Sequence, residues 1–435
     1  MGLHLMGGIM DRRVFVRSGA LALVTMGLSP SFLRRVTYGM ELVKAPKGKV
    51  LICLFQRGAA DALNIVVPHG EKAYYAMRPS IAIPQPSRMA AGGAIDLDGF
   101  FGLHPALAPL MPLYQRGMLA PIHAVGSPSS TRSHFDAQDF METATPDDKS
   151  TRDGWLNRLL AATDHAASAR LAAAAGDRAI PAPLRGIALA AQPPRALDGP
   201  APTIALRSLD ELRVRASGPD AAQLEALYQT MGADLVHGDD ADAREATRIL
   251  RTLDPTAYVP SNGATYPRSD FGRRLEQIAQ LVKADVGMEI AFADVGGWDT
   301  HVNQGGATGQ LAARLDDFAH SIAALVTDLG ERMSDVVILT MSEFGRMARE
   351  NGNRGTDHGH AGAMFAIGGG VHGGRVYGRW PGLGPDQLYE GRDLALTTDF
   401  RSVFAEIAQQ HMGAARSEAL FPGFVPARGD ALGIV

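Results

Sequence analysis

The chain has 435 residues, of which 46% are hydrophobic and 20% charged, and a formal net charge of −4. That apolar share supplies a large core, and the mildly acidic balance excludes a polybasic nucleic-acid surface. A single cysteine, Cys53, excludes an intramolecular disulfide framework.

The opening MGLHLMGGIM reads as an upstream start, with Met10 beginning MDRRVFVRSGALALVTMGL. Arg12 and Arg13, Phe15 beyond them and the apolar run from Gly19 to Leu28 have the form of a twin-arginine export signal. The run is too short to span a bilayer. An amphipathic N-terminal helix is the alternative reading, and no clear A-x-A cleavage site follows. Residues 1–45 are expected to be the signal region and residues 46–435 one α/β domain. No other stretch is a membrane-span candidate. The expected partner at this end is the twin-arginine export machinery, and the expected location is periplasmic or secreted.

KVLICLFQ is β-branched and apolar, as a buried strand requires, and Asp61 sits beyond it in a turn of small residues. His69 to Gly102, rich in Pro, Gly and Ala, reads as a surface excursion. His104 to Gly117 has helical spacing of Leu107, Leu110 and Leu113, with Gly at its end. MLAPIHAV is the second predicted strand. It leads into GSPSSTRSHFDAQDFME, where Ser133, His134 and Asp136 lie close together and Gln138, Asp139 and Glu142 continue at helical spacing. Gly154 to His165 predicts a helix and Leu184 to Ala191 a strand. Residues 195–285 are expected to form a mainly helical cover.

MEIAFADV, a strand, is followed by GGWDTH with Asp299 and His301. Leu311 to Arg332 is an amphipathic helix with Leu315, Phe318, Ile322 and Leu325 on one face. DVVILTM is a strand, and its Gly-rich exit loop carries Glu343, Arg346, Asp357, His358 and His360. AMFAIGGGV is the next strand, and FRSVFAEIAQQHMG a late helix closed by Gly413. The alternation predicts an α/β fold: a doubly wound, mostly parallel sheet flanked by helices. Such a sheet gathers the residues that follow its strands into one crevice. Taken singly, each has a plainer reading. Ser133 caps a helix, Asp299 caps a turn, Glu343 pairs with Arg346, and Asp357 and His360 support others or face solvent. Their shared position is what points to a site.

In combination RGAAD, TRSHFDAQDFME, GGWDTH, SEFGR, TDHG and a strand ending GGGV resemble a bacterial family of unknown function, over roughly Val50 to Gly382. That family is exported largely by the twin-arginine route and is often labelled sulfatase-like. It is similar in turn to the alkaline phosphatase/sulfatase superfamily, whose members use a doubly wound α/β fold, one or two divalent metals and a Ser, Thr or formylglycine nucleophile. The resemblance implies an alkaline-phosphatase-like core. It implies Asp61 as the acidic ligand after the first strand, Ser133 as nucleophile, and Asp299 and His301 as ligands of one metal. Glu343 stands for the Asp of a Ser-Asp-His-Gly motif, and His358 for the last histidine ligand. Phe344 occupies the place of that motif's His, and no Cys-x-Pro-x-Arg sequence is present for formylglycine. His134 or Asp136 is the alternative functional member of the nucleophile loop.

This mixed oxygen and nitrogen set suits one or two ions of Zn, Mn, Mg or Ca. Arg346, with Arg132 as a second candidate, is expected to hold the anion. His134, Asp136, Asp357 and His360 are expected to support the ligands or touch substrate. The implied function is an exported metal-dependent hydrolase of phosphate or sulfate esters, acting on a small-molecule or glycan ester. The rival expectation is a non-catalytic exported binding or scaffold protein with a degraded metal site.

Overall fold

VLICLFQ forms β1 (Val50–Gln56), buried along its whole length at the centre of the sheet. Val50, Ile52 and Leu54 face one apolar layer, and Leu51, Cys53 and Phe55 face the other, as the two-residue period of a strand covered on both faces dictates. Burial pushes the Cys53 thiol far above its ordinary range, which makes it an inert core group. The structure, a computed structural model, describes residues 48–435 apart from 88, 90–91, 164–181, 211–235, 238–245, 247, 251, 416–417 and 428. The expected signal region lies outside the described residues, as does much of the expected helical cover. No helix among the described residues is long and apolar enough to cross a membrane.

The other strands of the main sheet are β2 (Leu119–Gly126), β3 (Gly186–Leu189), β4 (Thr203–Leu206), β5 (Val236–His237), β6 (Ile290–Val295), β7 (Val336–Met341), β8 (Gly362–Gly368) and β9 (Thr398–Asp399). Their spatial order is β9-β2-β8-β7-β1-β6-β3-β4-β5. Pairing is parallel at β1–β7, β1–β6, β6–β3, β3–β4 and β9–β2. It is antiparallel on both sides of β8 and at β4–β5. The fold is therefore α/β with a mostly parallel sheet. Two reversals around β8 leave β2 running in the same direction as β1, β6 and β7. The carboxyl ends of those four strands and the amino end of β8 thus reach one edge of the sheet.

Helices cover both faces. Helices α2 (Asp270–Lys283) and α3 (Gln310–Leu329) pack on one, with Phe271 stacked on Phe318 at 5.4 Å. Helix α4 (Phe400–Glu406) covers the other, where Trp155 stacks on Phe404 at 4.3 Å. Helix α1 (His134–Thr143) follows β2. The predicted helix over 104–117 divides into a 3₁₀ stretch, Pro105–Leu110, and a short α-helix, Met111–Gln115. Pro109 and Pro112 lack the N–H groups a continuous α-helix needs there, whereas Pro105 sits in the first turn, where none is needed. Within 195–285 the described residues include β4, β5 and α2.

His123 of β2 links this packing to pH. It is 2% exposed. Its Nε2–H donates to the Val66 carbonyl at 3.1 Å, and Nδ1 accepts from the Ala124 N–H at 2.9 Å. The neutral ring is thus fully satisfied, and burial lowers its pKa from 6.5 to about 4. An unfolded histidine binds its proton near pH 6.5, the native one only near pH 4. The stabilisation is complete above the unfolded value and disappears as pH falls through the folded one. Between pH 7.5 and 5, wild type is expected to lose about 2 kcal/mol more unfolding free energy in urea than His123→Gln. Equal losses in the two proteins contradict this role.

Candidate metal centre

The loops at the common sheet edge bring the chemistry together. The exit of β1 crosses the loop after β6 at Gly58, whose φ is +122°. A Cβ there would lie 2.6 Å from the Asp299 backbone nitrogen, so only glycine allows the approach. The exit of β2 ends at Ser133, and α1 starts on His134. The loop after β7 runs from Ser342 to Arg346 and returns through Thr356, Asp357 and His358 to β8. Phe344 is buried, with its ring centroid 5.0 Å from that of His134 and 5.1 Å from that of His358.

Imidazole nitrogens converge here. His358 Nε2 lies 3.0 Å from His134 Nε2 and 3.0 Å from His301 Nε2. Asp299 Oδ1 is 2.9 Å from His301 Nε2 and 3.3 Å from His358 Nε2, and its Oδ2 is 3.5 Å from His134 Nε2. Ligand atoms of His134, Asp299 and His358 all fall within 4.8 Å of one another.

The outward nitrogens fix the tautomers. His134 Nδ1 meets Glu343 Oε1 at 2.8 Å, His301 Nδ1 meets Asp357 Oδ1 at 2.9 Å, and His358 Nδ1 meets the Arg132 carbonyl at 2.9 Å. Carboxylates and carbonyls only accept, so each Nδ1 carries the hydrogen and each Nε2 turns a lone pair inward. Three lone pairs and the Asp299 carboxylate thus face one another. A divalent cation fits that donor set. The hydrogen bond to Glu343, reinforced by its charge and partly opposed by burial, raises the His134 pKa. Burial lowers that of His358. Burial works to raise Asp299, but the hydrogen bond and charge of Arg346 outweigh it and hold the carboxyl below its usual range.

Several residues singled out from the sequence take other positions. Asp61, expected as a ligand, is fully buried; its Oδ2 accepts from Arg78 Nη1 and Gln304 Nε2, each at 2.6 Å, and it does not join the cluster. Glu343, also expected as a ligand, stands behind His134, where it accepts from Gln138 and the Gly58 N–H as well, each at 2.8 Å. Burial pushes its carboxyl up, and the bonds from His134 and Gln138 bring it below the ordinary value.

Arg346, expected on an anion, is 1% exposed. It donates to Asp299 Oδ1 at 2.6 Å and to the Thr356 hydroxyl at 3.1 Å, and also to the Thr356 carbonyl. Arg132 is spent on Asp393 and Glu390. Asp136 pairs with Lys149 at 2.6 Å on the surface. Asp357 supports His301, and Asn351 donates to it at 2.9 Å. His360 is buried and stacked on Tyr389 at 4.0 Å, away from the converging nitrogens. Ser133 is exposed, occupies the N-cap position of α1 without a side-chain cap bond, and precedes His134 directly.

Residues the sequence reading passed over complete the support. The Thr300 and Thr356 hydroxyls donate to Gln304 Oε1 at 2.7 and 2.8 Å, linking the Asp61–Arg78 pair to Arg346 and Asp299. Gln304 lies in the same loop as Asp299 and His301, so its position there was available as a signal. Asp393 lies far from every motif and offered none.

The chain is similar to the crystal structure of the PsFucS1 sulfatase from Pseudoalteromonas sp., at 12% identity and a TM-score of 0.37, covering 97% of this chain and 76% of that one. Among curated proteins there is no match. Residues 116–420 match the family model described as "Protein of unknown function (DUF1501)", and the chain belongs to that family.

Proposed function

We propose that this chain is an exported hydrolase of phosphate or sulfate esters that works with one divalent metal ion. His134, His358 and Asp299 would hold the ion, with His301 beside them. The observation that carries the reading is the set of three inward Nε2 lone pairs, each fixed by an acceptor on the far side of its ring. Carboxylate and carbonyl partners of this kind orient metal-ligating histidines generally. Nitrogen-rich donors favour Zn²⁺ or a similar transition ion over Mg²⁺ or Ca²⁺. Phe344, packed against two of the rings, supports a single ion by filling the flank of the cluster.

When bound, such an ion acts as a Lewis acid on an ester oxygen. The chain's own groups orient and attack. Arg346 holds Asp299 in place, and Glu343 and Gln138 hold His134. Ser133, exposed beside His134, is the assigned nucleophile: its oxygen bonds to phosphorus or sulfur as the alcohol leaves with the hydroxyl proton, and water then frees the serine.

One observation favours the second reading, a metal-binding protein without turnover: both arginines expected to grip an anion are committed to carboxylates. Plasma mass spectrometry of the purified protein and an ester screen separate the two. About one equivalent of Zn or Mn is expected, with ester turnover lost in Ser133→Ala while the metal stays. Metal without turnover in wild type leaves only the binding reading. Protein that takes up no ion after incubation with Zn, Mn, Mg and Ca refutes both.

A further inference from the structure

We propose that Asp393 is a positioning residue for the metal centre, holding His358 through the two arginines that contact that histidine. The proposal rests on the reading of His358 as a metal ligand.

His358 is fixed on its outer side at two points. Its Nδ1–H donates to the Arg132 carbonyl at 2.9 Å, and its own carbonyl accepts from Arg392 Nη2 at 2.7 Å. The first contact uses a backbone carbonyl, so its position depends on what anchors the residue carrying it. Arg132 is anchored by Asp393: Nε and Nη2 both reach Oδ2, at 3.2 and 2.6 Å. Arg392 is anchored there too, its Nε reaching Oδ1 at 3.0 Å. One carboxylate thus uses both oxygens to set both contacts.

Burial identifies the rigid member of this group. The Asp393 side chain is 0% exposed, whereas those of Arg132 and Arg392 are 25% and 34% exposed. A buried carboxylate is costly unless its charge-assisted hydrogen bonds are complete, and here they are. The backbone is tied as well. The Asp393 N–H and carbonyl both pair with Tyr389, and Met347 bridges to it. Met347 directly follows Arg346, which holds Asp299. Asp393 therefore ties the mount of His358 to the strip that carries the support of Asp299. Removing its charge leaves Arg132 held through its side chain by the exposed Glu390 carboxylate and lets Arg392 turn toward water, and the carbonyl under His358 Nδ1 loses its buried anchor.

The test measures zinc affinity of the full chain by chelator competition and the visible absorption of the Co²⁺-loaded protein. Wild type comes first: uptake of neither ion means that the metal reading has failed, and the proposal with it. With a metal-binding wild type, Asp393→Asn is expected to weaken zinc by about tenfold or more and to shift the Co²⁺ bands. Thermal unfolding of the metal-free protein should move little, because both arginines can be hydrated. Zinc affinity within about twofold of wild type, far short of the usual cost of losing an outer-shell partner, overturns the proposal even though the metal reading stands. If Asp393→Asn does not fold, Arg392→Met removes one contact and leaves the Asp393–Arg132 pair. Unchanged affinity and unchanged Co²⁺ bands in that variant overturn the proposal equally.

Discussion

His358→Ala is expected to abolish metal uptake, while Glu343→Gln keeps the ion and binds it about 10–100-fold more weakly. The contrast follows from where each group stands. His358 Nε2 is the shared vertex of the cluster, 3.0 Å from two other imidazole nitrogens and 3.3 Å from Asp299. Its loss removes the nitrogen common to both close imidazole pairs and breaks the His134–Asp299–His358 set. Glu343 lies one step back. It fixes the His134 tautomer and, as an anion, raises the basicity of the inward nitrogen. Glutamine keeps the shape and one accepting oxygen for His134 and Gly58 but removes the charge. Chelator competition followed by metal analysis reads both variants. If Glu343→Gln loses the ion as fully as His358→Ala, then Glu343 is a direct ligand, as the sequence pattern alone suggested. If His358→Ala retains it, the centre is elsewhere.

That pair of variants also marks where sequence reading stops. β1, β6 and β7 were legible because strands buried on both faces are apolar at nearly every position. Once they are placed in a doubly wound sheet, the clustering of residues 299–301, 343–346 and 358 at one edge follows from topology. The direction of β8 was not legible, since it depends on the path of the long loop before it. Nor was the split between ligand and support. Ser133, His134 and Asp136 are adjacent, and only the phase at which α1 begins decides which one turns toward Glu343. In the same way a sequence shows that Arg346 carries a charge, but not that Asp299 and Thr356 have already engaged it. Those partners are set by packing over long separations, to which local pattern is blind.

Asp61 is the sharpest case, and the largest loss of stability is expected from Asp61→Ala. A carboxylate after the first strand reads the same whether it faces a crevice or the interior. Here Arg78, with its side chain 0% exposed, and Gln304 decide the matter. Removing Asp61 leaves the Arg78 guanidinium buried with Asn64, two backbone carbonyls and the Tyr74 ring as its partners among the described residues, none of them charged. Breaking a buried ion pair from one side costs about 3–5 kcal/mol, a large part of the roughly 5–15 kcal/mol that holds a domain together. The pair itself is imperfect, because the buried Asp61 Oδ1 has no hydrogen-bond partner among the described residues. Asp61→Leu combined with Arg78→Met is therefore expected to recover much of that loss, since exchanging a buried pair for apolar groups of similar size is often neutral or better. Urea unfolding of metal-free protein gives the stability, and metal analysis of the folded fraction gives the other half of the result. A structural Asp61 lowers the first and leaves the second unchanged. The reverse, full stability with the ion gone, restores Asp61 to the ligand set and removes the interior pair as its reason for being buried.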